Sequence, residues 1–156
     1  MIKSISEIRT IFKKRSSVGA LPWQYFVVVF ADDAHNTKPH KQLFEICGKP
    51  VIAHTIDAFE RANSITDIVI VTKEDSIDEL KELCTVNGFK KISAIVAGGK
   101  ERYDSVQNGI KATQDPEYIA IHDGARACIT PRQIDMLCTV AKAKGAVVPG
   151  CIVTDT

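Results

Sequence analysis

Residues Tyr25-Phe26-Val27-Val28-Val29-Phe30 form an unbroken run of aromatic and β-branched side chains, and Ala31 closes it before the polar stretch Asp32-Asp33-Ala34-His35-Asn36. A strand with one wet face alternates apolar and polar residues. A continuous apolar run suits a strand buried on both faces, as in the interior of a parallel sheet. The same signature recurs at Asp67–Thr72, Ile92–Val96, Tyr118–His122 and Ala146–Val153.

Working outward from these runs, the intervening segments read as helices. Val51, Ile52, Thr55, Ile56 and Phe59 share one helical face, with Pro50 at a first-turn position. Ser76 and Glu79 have capping-box spacing above Ile77, Leu80 and Leu83, and Gly88 follows as a stop. Thr130, Pro131 and Gln133 supply cap, first-turn proline and box for a helix bearing Ile134, Leu137 and Cys138. Alternating strands and helices predict an α/β fold of the Rossmann-like kind, a three-layer α/β/α sandwich around a mostly parallel sheet, over residues 25–156.

Upstream, Ser4 to about Arg15 reads as a short amphipathic helix that ends at Ser16, Ser17, Gly19 and Pro22. Residues 1–24 carry five cations against Glu7, a local charge of +4 that leaves −3 on the rest of a chain of net charge +1. They read as an N-terminal extension packed on the domain, with an organellar (plastid-type) transit peptide or a membrane-surface helix as the alternatives. The near-neutral balance argues against a nucleic-acid partner. The five cysteines form no C-x-x-C pair and sit mostly in apolar runs, which fits free thiols in a reducing cytoplasm. No apolar run is long enough for a membrane helix. The sequence assigns no metal ligands.

Ligands of doubly wound sheets sit beyond the carboxyl ends of the strands. Four segments fall there. Ala31 to Gln42 contains no glycine, which excludes a dinucleotide fingerprint; Lys38 and Lys41 could face phosphate, although spacing alone favours a solvated loop. Gly98-Gly99-Lys100-Glu101-Arg102-Tyr103-Asp104-Ser105 pairs glycines with a helix start, which could present N–H groups to an anion or could be a charged surface turn. His122-Asp123-Gly124-Ala125-Arg126 places a carboxylate and an arginine at a strand end, with His122 read as a core residue. Val153-Thr154-Asp155-Thr156 adds hydroxyls.

Taken together, K-Q-L-F-E-I-C-G-K-P-V-I-A-H-T from Lys41, D-I-V-I-V-T from Asp67, G-G-K-E-R-Y-D-S-V-Q-N-G-I from Gly98, I-H-D-G-A-R from Ile121 and V-T-D-T from Val153 resemble the 2-C-methyl-D-erythritol 4-phosphate cytidylyltransferases of non-mevalonate isoprenoid synthesis. The resemblance implies CTP and Mg2+ as co-substrate and cofactor, and transfer of CMP to a sugar-alcohol phosphate with release of pyrophosphate. By the same resemblance, Lys41 is the catalytic cation at the α-phosphate. Ala31, Gly98, Gly99, Lys100, Ser105 and Gly124 surround the nucleotide, and Asp123, Arg126 and Thr156 hold the acceptor. Arg102 fits the same loop without an assigned contact.

The chain departs from the family in two ways. Asp32 and Asp33 stand where the family has a glycine-rich, arginine-bearing phosphate loop, and side chains there impede the close approach of backbone to phosphate. Lys38 is the nearest stand-in for that arginine. The family pattern also continues past Thr156 with further basic residues and a homodimer-forming arm, so the domain is expected to be incomplete at its C-terminus. These departures predict weak or undetectable turnover. The related ribitol 5-phosphate (pentitol phosphate) cytidylyltransferases and a non-catalytic, degenerate paralogue are the alternative readings.

Overall fold

The computed structural model describes residues 25–31, 41–113 and 116–150. Its strands are β1 (Tyr25–Phe30), β2 (Glu45–Ile46), β3 (Lys49–Pro50), β4 (Ile65–Thr72), β5 (Ile92–Ala97) and β6 (Tyr118–Asp123); its helices are α1 (Val51–Arg61), α2 (Ile77–Val86), α3 (Arg102–Lys111) and α4 (Pro131–Lys144). The four long strands pair in the order β5-β4-β1-β6, every pair parallel. Phe30 lies level with Val71 on one side and Asp123 on the other, so the carboxyl ends form one rim.

Strand alternation sorts β1 into two cores. Tyr25, Val27 and Val29 face Ile52, Ile56 and Phe59 of α1, Leu80 of α2 and Ile134 and Cys138 of α4. Val28 and Phe30 join Val69, Val71 and Ile121 on the opposite face, where Val106 of α3 packs. These are the three expected layers. All six side chains of β1 are buried, and each such burial stabilises the fold by roughly 1.5–3 kcal/mol. Helix α3 sits close to the sheet because Gly109 lacks a side chain; a Cβ there would lie 2.5 Å from Val28 Cγ1 and 2.8 Å from Val71 Cγ2.

At the rim where the strands begin, loops are fastened by carboxylates. Glu60 accepts from the Lys90 and Lys91 amides at 2.8 and 3.0 Å, and Lys91 Nζ reaches the Ala62 carbonyl at 2.7 Å. Asp135 accepts from the amides of Ser64 at 2.8 Å and Asn63 at 3.3 Å. Burial alone would raise the Asp135 pKa, but these hydrogen bonds outweigh it and hold the carboxyl below its ordinary value. Tyr25 donates to the Cys138 carbonyl at 3.1 Å and stacks on Tyr118.

Two local expectations change. Residues 146–150 form no strand, and the rest of the expected run lies outside the described residues. Ser76 precedes α2 but makes no side-chain cap; a 3-10 turn at Glu74–Ser76 leads in instead, and the Ser76 hydroxyl donates to Asp75. The extension at residues 1–24 lies outside the described residues. The Thr130–Gln133 box at α4 is present on both arms.

Candidate active site

With β1 central, the chain builds outward through β4 to β5 and then returns across the sheet through α3 to β6. The topological switch point therefore lies between the ends of β1 and β6, where doubly wound sheets open a crevice for ligands. The main chain there is tightly tied. Gly124 N donates to Phe30 O at 2.8 Å, Ala31 N to Val71 O at 2.8 Å and Gly98 N to Thr72 O at 2.7 Å. Thr55, buried in α1, donates to the Gly124 carbonyl at 2.7 Å and ties the helix to the turn.

Most of the anticipated residues share this rim. Ala31, Gly98 and Gly124 directly follow β1, β5 and β6. Lys41 opens a 3-10 turn, Lys41–Leu43, whose Gln42 is buried in a small recess with Ala31, Ile52, Thr72, Ser76 and Leu80. The Lys41 backbone thus lies at the ends of β1 and β4. Asp123 closes β6; its Oδ1 accepts from Ala125 N at 3.2 Å, which shapes the turn that carries Arg126. Arg126 Nε pairs with Asp123 Oδ2 at 3.9 Å, and its side chain is 78% exposed. Thr156 and Lys38 lie outside the described residues.

In the Gly98–Ser105 loop, Glu101 and Asp104 cap the start of α3 reciprocally, which occupies the amides of Glu101 and Asp104. Gly99 N donates to the hydroxyl oxygen of buried Ser105 at 3.0 Å, and Asn108 holds the Ala97 carbonyl at 3.2 Å. Gly99 and Lys100 are exposed on its outer side.

His122 is a core residue on the α1 face, 8% exposed, with its ring edge-on to Phe59 at 4.9 Å. Burial pushes its pKa down to about 4, helped by Arg126 and opposed by Asp123, so the ring is neutral at pH 7. Spacing did not single out Gln42 or Phe30; both matter through burial beside residues distant in sequence.

Among the described residues, no three His, Cys, Asp or Glu side chains converge as a metal cage. Asp123 is a carboxylate at the switch point, the kind of oxygen ligand that suits a hard divalent ion.

A parallel sheet of this order, with a glycine-tied rim and an exposed arginine beside an aspartate, has the Rossmann-like fold of the nucleotidyltransferases. Solved structures agree on the fold. The 4-diphosphocytidyl-2C-methyl-D-erythritol synthase of Anaerococcus prevotii superposes with a TM-score of 0.64 at 24% identity, covering 78% of this chain and 51% of that one. A CMP:2-keto-3-deoxy-manno-octonic acid synthetase complexed with CTP gives 0.64 at 18% identity, covering 80% and 49%. The family model for IspD, 2-C-methyl-D-erythritol 4-phosphate cytidylyltransferase, matches residues 31–156, and the chain belongs to that family. Relatives of that name include those of Prosthecochloris aestuarii, 49% identical over 125 residues, and Chlorobium luteolum, 44% identical over 124. Each match covers 74% of this chain and 51% or 52% of the relative, so the chain spans about half the length of the curated relatives it matches.

Proposed function

We propose that this chain provides the nucleotide-binding part of a cytidylyltransferase that transfers CMP from CTP to 2-C-methyl-D-erythritol 4-phosphate. The observation that carries this reading is the gathering of Ala31, the Lys41 turn, Gly98, Gly99, Asp123, Gly124 and Arg126 on one rim. In the reaction, an oxygen of the acceptor phosphate attacks the α-phosphorus in line. The bond to the bridging oxygen breaks, and its electron pair leaves with pyrophosphate. Two polyanions must meet, so positioning and charge neutralisation supply most of the catalysis. Lys41 would face the α-phosphate, while Gly98, Gly99, Lys100, Ser105 and Gly124 border the nucleotide. Asp123, Arg126 and Thr156 would hold the acceptor, Arg126 as a bidentate phosphate partner. A magnesium ion, held by the triphosphate and Asp123, would screen the repulsion between the phosphates. In the full family pattern, the site belongs to a homodimer.

Asp32 and Asp33 favour a second reading, in which the chain binds nucleotide without turning it over. Two assays separate the readings. Titration with CTP and magnesium should show saturable binding under both, whereas pyrophosphate release with methylerythritol phosphate should be weak. Ready turnover would eliminate the non-catalytic reading, and comparing ribitol 5-phosphate as acceptor would assign specificity. Absence of CTP binding would eliminate both.

A further inference from the structure

We propose that the Arg102 guanidinium is a direct nucleotide contact, donating hydrogen bonds to an acceptor oxygen of the bound cytidine nucleotide while Phe30 holds its plane. The inference rests on the cytidine-nucleotide reading above and adds to it a residue that neither the motif spacing nor the resemblance assigns.

Arg102 is the first residue of α3, at the rim where β5 ends. Its side chain turns back over the sheet, placing Cζ 4.6 Å from the centroid of the Phe30 ring. Phe30 is fully buried and ends β1, and its carbonyl accepts the Gly124 amide at 2.8 Å. The guanidinium thus rests on the aromatic floor of the switch point.

The neighbouring charges do not neutralise it. Glu101 and Asp104, the carboxylates nearest in sequence, are engaged as reciprocal caps of α3. Arg102 forms no ion pair among the described residues, and its Nε is buried with no hydrogen-bond partner. Packing on a ring uses the face of a guanidinium but none of its in-plane donors. A residue serving only to cover Phe30 would need neither a charge nor a buried N–H. Nε itself is closed to solvent, so the terminal nitrogens of the guanidinium, which make no hydrogen bond or ion pair among the described residues, are the donors for a carbonyl or phosphate oxygen approaching in its plane. Arg102 approaches the carboxyl end of β1 from the α3 side.

The test is calorimetric titration of the full chain with Mg-CTP, CMP and cytidine, for wild type, Arg102→Gln and Arg102→Lys, with thermal unfolding of each. Loss of a charge-assisted hydrogen bond should weaken binding by roughly 10-fold or more in Arg102→Gln. Arg102→Lys keeps the charge and the packing stem but not the fork, and should recover only part of the affinity. A loss confined to Mg-CTP assigns the contact to the triphosphate; a loss shared by cytidine assigns it to the base carbonyl. Either supports the proposal. Wild-type affinity in folded Arg102→Gln would overturn it. Should Arg102→Gln fail to fold, Arg102→Lys decides alone, and wild-type affinity there overturns it equally. If wild type binds none of the three ligands, the nucleotide reading itself falls, a failure distinguishable from that of the Arg102 role.

Discussion

The two rims of the sheet treat polar groups in opposite ways. Where the strands begin, Glu60, Lys91, Asp135 and Tyr25 each reach a specific backbone partner, and the loops there are closed on themselves. Where the strands end, three buried polar atoms have no partner among the described residues: Gln42 Oε1, Arg102 Nε and His122 Nδ1. Both rims tie their main chain by hydrogen bonds, but the strand-end rim also keeps hydrogen-bonding capacity unmet. Unmet capacity in a buried setting lowers stability, and it is concentrated on the rim where this architecture receives its ligands.

The sharpest break between structure and site comes from the sheet interior. Replacing Gly109 by alanine forces a methyl group against Val28 and Val71, and overpacking of that kind costs roughly 1–3 kcal/mol or more. A urea or thermal melt should register the loss, whereas a small perturbation would show that α3 lifts off freely.

Acid should act next, and on the strand-end rim first. The folded-state pKa of His122 lies near 4, below its ordinary value of 6.5. As pH falls below 6.5, the unfolded chain takes up a proton that the folded chain refuses. Stability is therefore complete above 6.5 and declines towards 4, by up to about 3 kcal/mol. His122→Gln should flatten that window. Asp135 has the opposite chemistry: its lowered pKa contributes stability that persists above the ordinary carboxylate range and is lost only as pH falls through the folded value. Unfolding midpoints measured from pH 7 to 3 would resolve the two phases, and a single carboxylate-range transition would refute the assignment to His122.

Asp135→Ala should cost about 1–3 kcal/mol, because two loop amides lose their acceptor. Gln42→Leu, at the other rim, should change stability by less than about 1 kcal/mol or raise it slightly, since the buried amide oxygen being removed has no partner among the described residues. Equal losses in the two variants would erase the contrast between the rims. The smallest effect is expected at the β2–β3 hairpin, whose two-residue turn places Cys47 at φ 53° and Gly48 at φ 74°. Asn tolerates that left-handed position better than Cys, so Cys47→Asn should stabilise by roughly 0.5 kcal/mol, visible as a small rise in Tm.

The sheet was legible because strands buried on both faces leave continuous apolar runs, and β1, β4, β5 and β6 fall within two residues of those runs. The Thr130–Gln133 box was legible for the same local reason. The α3 cap was missed although Glu101 and Asp104 stand three apart, because acidic residues beside two glycines and two cations read as a charged loop. Ala146–Val153 misled in the other direction. An apolar run becomes a strand only when another strand completes its hydrogen bonds, and residues 146–150 have no such neighbour among the described residues. The site was legible where glycines and charges mark strand ends. The placements of Gln42 and Arg102 depend on Thr72 and Phe30, partners that no local pattern announces.

Hydrogen exchange of the full chain with and without Mg-CTP would test the division between the rims directly. Protection should appear at residues 98–105 and 121–126, while the amides of Ser64, Lys90 and Lys91 remain as in the free protein. Protection confined to the Ser64 and Lys90–Lys91 loops, with the strand ends unchanged, would contradict the account.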